Sequence, residues 1–123
     1  MNDDRSHLVV ELAREFMQLV MRVNPSWTKA FFRYCHEGGR LGSNASCVSN
    51  DVADLIDPFD HNIALNKLND IAEEIFQSTG KDRAVILLIV DSKFNYDVKF
   101  EYIDMSKWMI SKLDGSNGIP TGF

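Results

Sequence analysis

Between Leu41 and Asn66 the sequence contains neither lysine nor arginine. Other absences bound what the chain can be. No apolar run approaches the roughly 18 residues of a membrane-spanning helix; the longest is Ala84 to Val90. The first residues, Met-Asn-Asp-Asp, lack the basic-then-apolar order of a secretory signal, so a cytoplasmic location is expected. Two cysteines, Cys35 and Cys47, are too few for a disulfide framework and are expected as thiols in a reducing compartment. A pI near 5.0 speaks against direct nucleic-acid binding, which needs clustered cations to meet phosphate.

The stretch that lacks cations is rich in one anion. Asp51, Asp54, Asp57 and Asp60 recur every third residue, and they account for most of the net charge of −5. Charge gathered this way creates a local negative potential that draws a basic partner and speeds encounter. A purely local reading competes: Asp57 caps a helix, Asp60 favours its first turn, and Asp51 and Asp54 sit in turns, together forming a solvated acidic loop.

At 123 residues, with 45% apolar and 25% charged residues, the chain is expected to form one globular domain. Residues 4–23 have helical periodicity, with Leu8, Leu12, Phe16, Leu19 and Val23 on one stripe; Asn24-Pro25 ends the helix. Trp27 to His36 (WTKAFFRYCH) reads as an aromatic strand, and Glu37 to Asn44 as a hairpin loop. Ala45 to Ser49 and Val52 to Ile56 supply short strands. A second helix is predicted to begin with Asp57 as N-cap and Pro58 as its first residue, and to close at Thr79-Gly80. Arg83 to Val90 (RAVILLIV) is a central strand buried on both faces. Tyr96 to Ile103 alternates as a half-exposed antiparallel strand with Asp97, Lys99 and Glu101 outward. A short helix is predicted from Asp104 or Ser106 through Leu113, followed by a flexible tail over 115–123. The sum is an α+β fold of order α-β-β-(β)-α-β-β-α, with a mainly antiparallel sheet of four or five strands and helices packed on it.

No complete catalytic or cofactor motif is present. The aspartates and His61 do not have the spacing of a calcium loop, and Cys35, His36 and Cys47 do not have that of a zinc site. Cys35 and Cys47 would face one another across the first hairpin if its turn centred near Leu41. A Cys35–histidine nucleophile lacks any identifiable third group, and Gly38-Gly39-Arg40 lacks the Walker ending. The chain is therefore expected to be a binding protein without catalytic activity, cofactor or metal. Its expected partner-binding residues are Asp51, Asp54, Asp57 and Asp60. Asp97 and Glu101 would extend the acidic surface if their face lies nearby.

Pro25-Ser26-Trp27-Thr28-Lys29 opens an aromatic strand (AFFRY) after a long first helix, and VILLIVDSKFNYDVKFEYID forms a late hairpin followed by Trp108. In these features the chain resembles the YezG-like family of small bacterial immunity proteins, the antitoxins of polymorphic and contact-dependent toxin systems. The resemblance covers most of the chain as pattern, with no counterpart for residues 40–57. It implies a cytoplasmic protein that binds a cognate toxin domain one-to-one and blocks it. Many such toxins are nucleases with basic surfaces, which an acidic surface would cover. Two other readings stand beside it. A homo-oligomeric adaptor would expose an apolar patch, for instance on Trp27–Tyr34 at a sheet edge. A small-ligand or enzymatic domain would use Tyr34, Cys35 and His36.

Overall fold

The computed structural model describes the backbone of residues 3–113 and 115–123, with side chains from Arg5 onward. The elements run α1 (Asp3–Val23), β1 (Lys29–Glu37), β2 (Arg40–Ser49), β3 (Val52–Leu55), α2 (Asn62–Ser78), β4 (Arg83–Asp91) and β5 (Tyr96–Glu101). The strands form one antiparallel sheet in the order β3-β2-β1-β4-β5. This is the α+β class expected from the alternation of helical and strand patterns.

Both helices lie on one face of the sheet. Leu12, Phe16, Leu19 and Val20 of α1 and Leu65, Leu68, Ile71, Ala72, Ile75 and Phe76 of α2 are buried against Ala30, Phe32, Tyr34, Ile86 and Leu88. Burying such side chains contributes roughly 1.5–3 kcal/mol each. β1 and β4 are the central strands, covered on both faces, which explains the unbroken apolar run in β4 and the adjacent Phe31 and Phe32 in β1. The Trp27–Tyr34 segment is therefore not at an edge, and it exposes no apolar patch.

The first hairpin is tighter than its glycine content suggests. Gly38 and Gly39, at φ of 56° and 83°, make a two-residue turn, so β2 begins at Arg40 and includes Gly42. Two successive positive φ values match the twist of the flanking strands and suit glycine. Glu37 thus pairs with Arg40, Cys35 with Gly42 and Cys47 with Ala30. The thiols do not face one another. Cys47 lies in the core beneath the helices and Cys35 on the opposite face of the sheet.

The helix predicted to start at Pro58 begins four residues later, at Asn62. The Ile56 amide still donates to the Ala45 carbonyl (2.9 Å), which keeps the chain extended to that point. Asp57 then accepts the Phe59 amide at 2.8 Å, an Asx turn in place of a helix cap, and His61 precedes α2 without a side-chain cap. At the other end Thr79 and Gly80 (φ 69°) terminate α2 as expected.

Among the described residues, no helix forms after Asp104. A single turn closes from Lys107 N to Asp104 O (3.2 Å), and Trp108 then takes a φ of 62°, which no helix accommodates. The carbonyls of Met105 and Lys107 are taken instead by the buried guanidinium of Arg33, at 2.6 and 2.9 Å. The irregular segment turns Trp108 and Ile110 onto the second face of the sheet, against Phe31, Val85 and Leu87. The tail is docked there as well. Gly118 and Pro120 are buried, Ser46 Oγ donates to the Gly118 carbonyl (2.6 Å), and the Phe31 and Phe123 rings meet edge-on at 5.0 Å. Irregular chain thus closes the face where a helix was expected.

Candidate functional site

A second two-residue turn joins β2 to β3. Asn50 and Asp51 both have positive φ (54° and 63°), and the turn places Asp51 at the hairpin tip. Asp54 sits within β3 opposite Cys47, in the strand expected over Val52 to Ile56 and not in the turn of the purely local reading. Asp57 and Asp60 follow in the irregular connection to α2. All four are exposed, and they trace one ribbon from the outer strand of the sheet to the start of α2.

Space partly fills the gap in positive charge left by sequence. Lys112, from the terminal segment, reaches Asp54 at 3.4 Å, although the Asp54 side chain stays 71% exposed. An ion pair this open to water contributes little. Asp60 borders an open cleft of about 390 Å³ between the two helices, whose walls include Glu15, Arg22, Ile63 and Lys67. Among the described residues, Asp51 and Asp57 have no cation within ion-pair distance.

The acidic ribbon also carries apolar side chains that the fold leaves in water. Phe59 is 91% exposed and Ile63 83%, and Val52 and Leu55 are about half exposed. A phenylalanine this open adds nothing to its own core. Such anchors, ringed by charge, are the groups that dominate protein–protein affinity once covered.

Asp97 and Glu101 lie elsewhere. β5 is the opposite edge of the sheet from β3, four strand spacings or about 19 Å away, so these two do not continue the ribbon. The Glu101 carboxylate is engaged locally. It accepts the Asp104 and Ile103 amides (3.0 and 3.1 Å) and the Lys107 ammonium (3.1 Å), and these bonds hold its pKa below the usual carboxylate value.

One polar cluster was not foreseen in the sequence. Glu73 of α2 accepts the Tyr34 hydroxyl, His36 Nδ1 (2.8 Å) and Gln77 Nε2 (2.6 Å), while the His36 ring stacks on Phe76 at 4.0 Å. Burial opposes ionisation of Glu73, yet the three hydrogen bonds outweigh it and lower its pKa. Burial and the Glu73 bond push the Tyr34 phenol well up. The i, i+2 spacing of Tyr34 and His36 was the available signal, since it puts both on one face of β1. Cys35 points to the other face, so Tyr34, Cys35 and His36 do not form a single site. Burial also raises the pKa of both cysteines, which keeps them as protonated thiols rather than nucleophiles. Among the described residues, no three His, Cys, Asp or Glu side chains gather closely enough to hold a metal ion.

No protein-family model matches this sequence, and no curated protein is significantly similar to it.

Proposed function

We propose that this protein acts by binding a basic protein partner across the surface running from β3 to the start of α2. The carrying observation is the mixture within one segment: exposed Asp51, Asp54, Asp57 and Asp60, with Phe59 among them and Ile63 just after them, which are 91% and 83% exposed. The carboxylates steer a cationic surface and fix its orientation, and the apolar side chains supply affinity as they are covered. Joined to the sequence resemblance, this reading makes the chain an immunity protein of the bacterial cytoplasm. It neutralises a cognate toxin domain, of nuclease type, by covering cationic surface that would otherwise meet phosphate.

The test begins with affinity capture from the native host and identification of the bound protein. Charge reversal at the four aspartates together should slow association with that partner by about tenfold or more and abolish most of its salt dependence. Phe59→Ala should speed dissociation by about tenfold or more while leaving the salt dependence intact. Unchanged binding in both variants would refute the reading.

A further inference from the structure

Among the described residues no strand pairs with the outer edge of β5, and the sequence of that strand is complementary to itself. Asp91 N donates to Asn95 O (3.0 Å) at the mouth of the β4–β5 turn, which fixes the phase of the ladder. The backbone groups of Asp97, Lys99 and Glu101 therefore face β4, while those of Tyr96, Val98 and Phe100 face outward. The bond from Ser92 N to Thr28 O gives the same phase on the far side of β4. At β3 the tail lies against the strand, with Gly118 next to Ala53; along β5 Val98, Phe100 and Glu101 are partly buried from the faces of the sheet, while Tyr96 is 46% exposed. Exposed Phe94 and Ile103 flank the strand at its two ends.

We infer that β5 is the interface with a second copy of this chain, joined antiparallel about a two-fold axis at Val98 into one continuous sheet. The chemistry selects that register. With Val98 opposite its own copy, the outward backbone groups of Tyr96, Val98 and Phe100 meet and form about six hydrogen bonds. Each Asp97 then stands opposite a Lys99 of the other copy, and each Glu101 opposite an Asn95. On the helix-bearing face each Tyr96 meets a Phe100. Slipping the strands one step in one direction sets Asp97 against Asp97. Slipping one step in the other sets Lys99 against Lys99 and Asp97 against Glu101. Like charges directly opposite destabilise a ladder, whereas opposite charges and aromatic pairs contribute. A further slip aligns Lys99 with Glu101 but removes Tyr96 from the ladder and competes for a carboxylate already held by Ile103, Asp104 and Lys107. The same alternation of sign explains why charged residues do not blunt this edge as they commonly do. This interface is independent of the proposed partner surface, which lies at the opposite edge, so each dimer would hold two partners.

Sedimentation equilibrium of the full chain should give twice the 14.0 kDa of one copy at concentrations up to about 0.1 mM. Lys99→Asp and Asp97→Lys, at exposed positions, should each weaken the dimer about tenfold or more, and the combined exchange Asp97→Lys/Lys99→Asp should restore it. The amides of Tyr96, Val98 and Phe100 should exchange slowly in the dimer and fast in either single variant. A monomeric wild-type protein, single variants that dimerise normally, or a combined exchange that stays monomeric would each overturn the inference. Should one single variant misfold, the other reads the same contact.

Discussion

The guanidinium of Arg33, in the middle of β1, donates to the main-chain carbonyls of Met105 and Lys107, more than seventy residues further along the chain. It is buried beneath the segment it holds, and that burial pulls its pKa below the ordinary value. The two carbonyls it captures are ones a helix would use internally. Replacing Arg33 with Met keeps the volume and removes the donors, leaving both carbonyls without a protein partner. The expected cost is about 2–4 kcal/mol. Urea unfolding monitored by fluorescence should show the loss, and solvent quenching of Trp108 should rise before global unfolding, because the segment that carries it is released first.

Gly118 tests the docking of the tail. Its φ is +83°, and a Cβ there would come within 3.3 Å of Ala53 Cβ. Gly118→Ala meets both the left-handed penalty and a close contact, and should cost about 1–3 kcal/mol. Gly115→Ala shares the backbone conformation (φ +80°) but meets no atom within 4 Å, so it isolates the first term and should cost about 1 kcal/mol. Comparing the two in thermal unfolding separates strain from crowding. Equal effects would mean that the tail does not press on β3.

Glu73 links stability to pH. Its folded-state pKa lies below the ordinary 4.5, so the ionised form is favoured by folding. That stability is fully present above the unfolded-state value and is lost as pH falls through the folded one. Glu73→Gln should therefore flatten the loss of stability below about pH 4.5 while lowering stability near neutrality. Tyr34→Phe removes one of the three donors and should cost about 1–2 kcal/mol near neutrality. It should also move the Glu73 titration upward, which carbon-detected NMR of the carboxylate would register.

The elements that periodicity alone determines were legible in the sequence. The Leu8–Val23 stripe yields α1, the run from Ala84 to Val90 yields the buried β4, and the alternation from Tyr96 yields β5. What was not legible depends on distant residues. The motif Asp57-Pro58 is a sound helix start, but the backbone bond from Ile56 to Ala45 holds the chain in the sheet and the aspartate turns to Phe59 instead. Met105, Trp108 and Met109 have helical spacing, yet Arg33 competes for the carbonyls such a helix needs. In the first hairpin the spread of glycines over Gly38, Gly39 and Gly42 suggested a wide loop. Two consecutive positive φ values at Gly38 and Gly39 close it at once and shift the partner of Cys35. Of the candidate site, the four aspartates were visible as a run. Their separation from Asp97 and Glu101 followed only from strand order, which local pattern does not encode.

The turn at Asn50-Asp51 carries a last consequence. The first hairpin meets the same left-handed requirement with two glycines, whereas here an aspartate occupies the second position at φ 63°. Glycine would relieve that backbone at the cost of one negative charge. Asp51→Gly is thus a substitution whose effects on heat tolerance and on partner capture run in opposite senses, and the difference between the two reads out what the anion contributes apart from the comfort of the chain.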